Sequence, residues 1–534
     1  MNRSGDNAES SAGEGPGRRQ FLRGLAVTGV AAGASGLLAA CGGSSKATPG
    51  TTATPAVAKS GGSLKVGLSG SSGHDTLDPH QGLTYLDTAR AQSLYQPLVQ
   101  LNALAQNEYV LAEEITPHGS TSNWIIRLRP GITFHDGKDL TADDVIFTFR
   151  RIIAGPYSGA SSLGPIDVKG LKALDNLTVQ VPMTSPYGSF VDQLAFWYYL
   201  YIVPTNFNPS TPNGTGPFVY QSFTPEQRSV FTRNKNYWRH GLPYVDEVTI
   251  IDFSDNVALQ DALVTGVIHA AGALEGPQLA SLATTSGVRT VASHTGAITP
   301  FTMRVDQAPF NDVNVRQAMR LLVDRQQLID SALDGYGVPA SDVFSPYDPN
   351  FDSSLRRVTD IPQAKYLLKK SGHENLSVVL TTSAVATGTV AMATVLAQQA
   401  KAANVTIKLN TVDSDTFFAT GKYLNWTFSQ DFYNYSPYLA QVAQSMQPKS
   451  PYNETHTDNA YYNSLYDQAN ATLNAATRRQ IVQEMMTFDF NEGGYIIPAF
   501  IDALDAYSTK ITGYSAARVG QPLSDLDFEH FSFV

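Results

Sequence analysis

The sequence predicts an α/β protein built from about three domains, and three observations support this. Residues 376–381, 391–403 and 405–409 read as a strand, a crossover helix and a second strand, which places the two strands parallel. Residues 124–129 and 132–134 read as strands joined by Pro130-Gly131, and a helix follows the His135-Asp136-Gly137 turn. With residues 1–40 set aside, roughly 490 residues remain, more than one hydrophobic core usually supports. Hydrophobic content of 42% and aromatic content of 10% fit a packed globular chain and not a disordered one.

The N-terminus carries an address. Gly17-Arg18-Arg19-Gln20-Phe21-Leu22-Arg23, an uncharged stretch and Leu38-Ala39-Ala40-Cys41 read as a twin-arginine export signal that ends in a lipoprotein cleavage box. Residues 25–40 are diluted with Gly, Ala, Ser and Thr and fall short of the ~20 apolar residues of a spanning helix. Small side chains at Ala39 and Ala40 open the bond before Cys41 to a peptidase, and the Cys41 thiol can then carry lipid. Cys41 is the single cysteine, so the folded part is expected to have no disulfide, no Cys-based metal site and no thiol nucleophile. The expected location is outside the cytoplasmic membrane, lipid-anchored to its outer face.

Formal charge is -10, and removing residues 1–40, with four positive and three negative side chains, leaves -11. That balance argues against a nucleic-acid partner, which calls for a basic face. Residues 42–62, GGSSKATPGTTATPAVAKSGG, have almost nothing to bury and read as a flexible tether with a reach of about 25 Å. The alternating run Ser63-Leu64-Lys65-Val66-Gly67-Leu68 is the first expected strand.

Further along, Thr141-Ala142-Asp143-Asp144 places an N-cap and acidic residues at a helix start, with Ala142, Val145, Ile146, Phe149 and Ile152 on one face. His135, Asp136 and Asp139 could suggest a metal, but their spacing fits a tight turn better. Gly214 and Gly216 are expected to supply unusual backbone angles, and Asp312 and Asp324 to cap helices. Phe196-Trp197-Tyr198-Tyr199-Leu200-Tyr201, ahead of Pro204, reads as a buried strand.

Six segments in order resemble the family 5 extracellular solute-binding proteins, the peptide and nickel receptors of ABC importers. They are the strand-turn-helix at 124–152, and Thr76-Leu77-Asp78-Pro79-His80 with Leu94-Tyr95-Gln96-Pro97-Leu98-Val99. Gly214-Thr215-Gly216-Pro217-Phe218 follows, with Arg233-Asn234-Lys235-Asn236-Tyr237-Trp238 and Pro243-Tyr244-Val245-Asp246-Glu247-Val248. Pro309-Phe310-Asn311-Asp312 then leads to Val315-Arg316-Gln317-Ala318 and Val323-Asp324-Arg325, before Gly335-Tyr336-Gly337 and Ala364-Lys365-Tyr366-Leu367-Leu368.

The resemblance implies a two-lobed periplasmic-binding-protein-like fold (type II, cluster C) with a hinge. Lobe one would comprise 63–93, 207–296 and 505–534, with 94–206 as an extra subdomain, and lobe two 297–504. The chain would cross between lobes near 293–299 and 501–507. The implied function is capture of a small solute, a peptide first, by hinge closure and its delivery to ABC permease subunits. The receptor would be a monomer without a cofactor or a resident metal, and not an enzyme. A hydrolase would call for a Gly-x-Ser-x-Gly elbow or a His-Glu-x-x-His helix, and neither occurs. Chelated nickel, an oligosaccharide or a signalling peptide remain alternative cargoes.

The candidate ligand residues follow from the same resemblance and from the aromatic density of WTFSQDFYNYSPY at 426–438. In peptide-binding relatives this stretch carries an aspartate that pairs with the ligand's ammonium. Asn434 takes that place when Asn434-Tyr435-Ser436-Pro437 is laid on the pattern, and Asp431 lies three positions upstream. Either Asp431 substitutes, or the ligand has no ammonium there. Tyr433, Tyr435 and Tyr438 keep a polar tip, whereas Trp426, Phe428 and Phe432 could form the buried side of a strand. Leu83, Thr84 and Tyr85 lie where relatives pair ligand backbone against lobe one. Residues 382–389, with Ser383, form the loop beyond the carboxyl end of a parallel strand, where ligands bind in open sheets, and Val395 is expected in the core.

Overall fold

The computed structural model describes residues 58–70, 75–82, 84–196 and 199–534. The export signal, Cys41, most of the expected tether and Leu83 lie outside the described residues. The folded body starts within the expected tether. Lys59 bridges Phe533, Gly61 N–H donates to Tyr244 O at 2.8 Å and Gly62 N–H to Asp246 Oδ2 at 3.1 Å.

The alternating run at the start of the body forms strand Ser63–Ser69, whose Leu64, Val66 and Leu68 are buried. It lies inside an eight-stranded sheet, parallel to both neighbours, Glu247–Phe253 and Ala270–Ala271. The sheet continues through Arg228–Arg233 to Phe218–Thr224 on one side, and through Ala499–Ser508 to Val288–Ile298 on the other. A second body has the three-stranded sheet Phe428–Gln430, Phe301–Met303, Tyr495–Ile496 and the parallel pair Ser377–Thr382 and Thr406–Thr411. A third has the four-stranded sheet of Ala112–His118, Ser120–Leu128, Thr178–Pro182 and Lys172–Asp175.

Each body has its own core. Leu64, Val66, Phe218 and Phe231 pack together in the first, Phe301, Leu380, Leu396 and Phe428 in the second, and Trp124, Ile126, Phe149 and Val181 in the third. Two long strands join the first two bodies. Val288–Ile298 and Ala499–Ser508 pair antiparallel from Val288↔Ser508 to Ile298↔Phe500, with a register shift between His294 and Ala297. Leu504 and Ala506 pack with Leu259 and Leu263 at one end, while Ile298 and Phe500 pack with Tyr433 and Val442 at the other. A bulge in a ladder bends it locally.

Local signals placed several elements. Helix Ala142–Ala154 starts at Thr141, whose N–H donates to Asp144 Oδ2 at 2.9 Å, and its Val145, Phe149 and Ile152 are fully buried. Asp312 and Asp324 cap helices Val313–Leu321 and Arg325–Ala332, accepting from Asn314 N–H and Gln327 N–H. Helix Thr389–Gln399 crosses over between the parallel pair, and Met392, Ala393 and Leu396 fill the core. Val395 sits half-buried at the margin of that core.

Three expectations are corrected. Residues 132–134 form no strand, and Thr133 makes an isolated bridge with Asp139. The described residues of the aromatic run form no named strand either: helix Phe190–Phe196 runs into it, Tyr199 lies in a turn, and Tyr201 bridges Pro97. Gly214 and Gly216 are not among the glycines with positive φ, and serve close approach instead. A Cβ on Gly214 would lie 2.1 Å from Leu94 O, and one on Gly216 2.5 Å from Leu94 C. The same contact ties down His135, which accepts from Gly214 N–H at 3.3 Å through Nδ1 and donates from Nε2 to Gly216 O at 3.1 Å. Burial brings the His135 imidazole down to about 4, so it stays neutral in this turn.

Candidate functional site

Strand Phe428–Gln430 ends where the second lobe meets the crossing strands, and this places Asp431. Asp431 N–H donates to Pro300 O at 3.1 Å, and Tyr433 exchanges backbone hydrogen bonds with Ile298 at 2.8 and 2.9 Å. The Asp431 side chain is fully buried. Its Oδ1 accepts from Phe432 N–H at 2.7 Å, and its Oδ2 accepts from the Tyr423 hydroxyl.

The same hydroxyl lies 3.1 Å from Oε1 of a second buried acid, Glu454. Glu454 also accepts from the Tyr433 hydroxyl at Oε1 and from the Tyr495 hydroxyl at Oε2, the latter at 2.7 Å. Two carboxylates and three phenols thus form one network. A phenol has one proton to give, so Tyr423 serves Asp431 or Glu454 but not both at once. Burial first, and then the Glu454 carboxylate, push the Tyr495 phenol well above its ordinary range, which keeps it a donor.

Tyr433 Oη lies 3.5 Å from Tyr452 O. The Tyr199 phenol is pushed upward by burial, then by Asp87, Tyr452 and Tyr85, while a hydrogen bond with Thr88 pulls the other way. Tyr85 and Thr88 lie on helix Tyr85–Leu94. Burial and the nearby Asp505 push the Tyr85 phenol up to about 12.

The other sequence-derived residues fall elsewhere. Thr84 is the N-cap of helix Tyr85–Leu94: its Oγ1 accepts from Asp87 N–H at 3.0 Å and its own N–H donates to Asp87 Oδ2 at 3.3 Å. Its carbonyl accepts from Thr88, so both of its backbone groups are engaged in the helix start. Ser383 is buried, and its carbonyl accepts from Thr389 Oγ1 at 2.8 Å, folding the loop over its helix. Trp426 donates from Nε1 to Phe417 O at 3.1 Å and stacks on Phe417 in an apolar group with Val385, Phe418 and Phe432. Of the three rings expected on a strand, only Phe428 is in one.

Asn434 and Tyr435 lie beside the crossing strands. A Cβ on Gly520 would sit 3.2 Å from Asn434 Oδ1, and one on Gly296 would sit 2.6 Å from the Tyr435 ring. Tyr435 N–H donates to Val519 O at 2.8 Å, and the ring packs into the core of the third body.

Tyr438 is buried in the second lobe, stacked on Phe344 at 4.9 Å, with its hydroxyl donating to Asp489. Tyr462 donates to the same oxygen at 3.3 Å. Burial raises the Asp489 carboxyl from 3.8 to about 7, against the pull of both phenols and of Arg320. Between those values the folded chain holds a proton that the unfolded chain has released, so this group lowers stability as pH rises from about 4 to 7. Thermal unfolding across that range is expected to show a shallower loss of stability in Asp489→Asn than in the unsubstituted chain. Equal slopes would assign the pH dependence to other groups.

Among the described residues, Asp527, Glu529 and His530 could hold a metal ion, but Glu529 already accepts from Tyr237 at 2.5 Å and pairs with Arg239. Tyr423, Glu454, Tyr452 and Tyr199 were not reached from the sequence. Their segments have no shared spacing, and only packing brings them together. The one signal was the aromatic run around Tyr199, which reads better as a buried strand than as a site.

The architecture is thus two bodies joined by a pair of long strands, with the buried acids and phenols beside that pair. Residues 108–464 match the bacterial extracellular solute-binding proteins, family 5 Middle, and the chain belongs to that family. The glutathione-binding protein GsiB of Escherichia coli O6:K15:H31 (strain 536 / UPEC) is 29% identical over 307 residues, 56% of this chain and 60% of GsiB. The chain therefore spans about 60% of the length of the curated relatives it matches. Among solved structures, the fold is similar to AgaA of A. tumefaciens R10 in complex with agropinic acid. That match has a TM-score of 0.76 and 21% identity, and covers 89% of this chain and 99% of AgaA. It is also similar to DppA of Helicobacter pylori in complex with the peptide STSA, with a TM-score of 0.73, 18% identity and coverage of 89% and 98%. Among the described residues no helix is long and apolar enough to cross a membrane.

Proposed function

We propose that this chain is the extracytoplasmic receptor of an ABC importer, capturing peptides or peptide-like solutes that present an ammonium group. The observation that carries this reading is the buried pair Asp431 and Glu454, joined through the Tyr423 hydroxyl and supported by Tyr433 and Tyr495. A cationic group brought beside these two acids would favour their ionised form and pair with it. Asp431 takes the ammonium role in this reading, and Asn434, beside the crossing strands, does not. Tyr199, Tyr85 and Thr88 supply the opposing wall.

Closure about the crossing strands buries the solute between lobe two (297–504) and lobe one (63–93, 207–296 and 505–534, with 94–206 added). The closed form is what the permease subunits read. Affinity near micromolar, about -8 kcal/mol, is within reach of a buried ligand with several polar contacts after association costs. The receptor binds and releases without turnover. Export by the Arg18-Arg19 signal and lipid on Cys41 hold it at the outer face of the membrane, as a monomer.

GsiB, named as glutathione-binding, and DppA, solved with a peptide, agree with a solute that carries a free amine. A non-peptide cargo is the second reading, because AgaA of the same fold holds agropinic acid. Native mass spectrometry of the protein as purified separates the two. Co-purified masses spaced by amino-acid residues are expected, and hexose or metal-chelate masses would overturn the peptide reading.

A further inference from the structure

The turn at 187–189, in the extra subdomain, is hydrogen-bonded to helix Ala460–Ala471 of lobe two across 281 residues of sequence. Gly188 N–H donates to Asn470 O at 2.8 Å. Ser189 donates twice to Asn470 Oδ1, from its N–H at 3.1 Å and from its Oγ at 2.9 Å. Asn470 Nδ2 donates to Tyr466 O at 3.2 Å, which fixes the amide so that its oxygen faces Ser189. Ser189 and Asn470 are 0% and 2% exposed, so these bonds are closed to water.

Each side belongs to a different core. Tyr187 and Phe190 flank the turn and pack with Trp124 and Val181, whereas Leu465 and Ala469 pack with Val482 and Tyr433. The contact is also sterically exclusive. A Cβ on Gly188 would lie 2.7 Å from Asn470 O and 2.7 Å from an Arg478 Nη atom, and Arg478 is itself held by Thr472 O. Gly188 is not among the glycines with positive φ, so the approach of lobe two, and not a backbone angle, calls for glycine here.

We infer that Gly188, Ser189 and Asn470 form a latch that holds the lobes closed and so sets the fraction of binding-competent receptor. The inference rests on hinge closure, the movement proposed above, but not on the identity of the solute. Opening about the crossing strands carries lobe two away from the subdomain and must break all three bonds. Bonds that exist only in the closed form add to its population directly. Apparent affinity scales with that population, because the dissociation constant is divided by the competent fraction.

Gly188→Ala inserts a methyl group into the contact while leaving both cores intact, and Ser189→Ala removes one of the three bonds. Small-angle X-ray scattering on the ligand-free proteins reads the open population without any solute. The radius of gyration of Gly188→Ala is expected to exceed that of the unsubstituted chain, with Ser189→Ala in between. Hydrogen exchange at 187–189 should accelerate in both variants, with thermal unfolding of the lobes little changed. An unchanged radius of gyration, or faster exchange spread through 94–206, would overturn the latch and leave the turn as ordinary packing. Neither result bears on the ammonium reading, which is decided at Asp431.

Discussion

Replacing Asp431 with Asn is expected to weaken the binding of a peptide with a free N-terminus by more than tenfold and to leave the fold intact. The reasons lie in the partners of the side chain. Phe432 N–H, 2.7 Å from Oδ1, can donate to an amide oxygen as it does to the carboxylate. The Tyr423 hydroxyl can accept from the new amide and give its proton to Glu454 Oε1, 3.1 Å away. These two hydrogen bonds therefore survive the substitution, and the carboxyl group does not.

Removing one member of a buried ion pair costs about 3–5 kcal/mol. Glu454 remains close by and keeps part of the field, so the loss should fall short of that figure but exceed the ~1.4 kcal/mol that corresponds to tenfold. Isothermal titration with a peptide and its N-acetylated form reads the effect. The acetylated form, without an ammonium, should bind both proteins weakly and alike. Equal affinity of both proteins for the free peptide would remove the ammonium role and favour the non-peptide cargo.

How much of this was legible in the sequence depended on how local each signal was. Thr141 with Asp144, Asp312 and Asp324 act within one helical turn, and those helix starts were legible in the sequence. The parallel pair at 377–382 and 406–411 likewise followed from an alternation of strand and helix signals close in sequence. Gly216 showed as a special position, but the reason was the Leu94 carbonyl, more than a hundred residues away. Tyrosines illustrate the limit best. Tyr433 and Tyr438 look alike in sequence, each a ring with a polar tip five residues apart. Tyr433 reaches Glu454 in the candidate site, and Tyr438 reaches Asp489 in a core. Neither acid is near them in sequence, so no pattern could sort the two phenols. Glu454 was missed for the same reason, since its three phenol partners come from 423, 433 and 495.

Arg90→Met is expected to destabilise lobe one by about 3–5 kcal/mol, the cost of removing one partner from a buried charge cluster. Arg90 is fully buried. Its guanidinium pairs with Asp252 at 2.8 Å, Asp87 at 3.0 Å and Asp75 at 3.1 Å, and Nε donates to Ser229 Oγ at 2.8 Å. The plane also lies 4.9 Å from the centre of the Phe223 ring. Burial alone would lower the Arg90 pKa, and Asp252, Asp87 and Asp75 together hold it above its ordinary value. Methionine fills much of the space but leaves three carboxylates around an apolar side chain. Burial holds the Asp252 carboxyl up to about 7 even beside Arg90, and without the guanidinium it rises further, so the carboxylates take up protons and the deficit relative to the unsubstituted chain should shrink as pH falls below about 7. Urea unfolding at pH 7.5 and pH 4.5 reads both the loss and its partial recovery, and a deficit independent of pH would point to lost packing instead. Arg90→Lys should recover little, since one ammonium cannot span the positions that the planar guanidinium reaches. The consequence extends to the site. Helix Tyr85–Leu94 carries Arg90, the Thr84 and Asp87 capping box, and the Tyr85 and Thr88 side chains that face Tyr199. Loosening its anchor to strands Arg228–Arg233 and Glu247–Phe253 should therefore weaken solute binding before it unfolds the lobe.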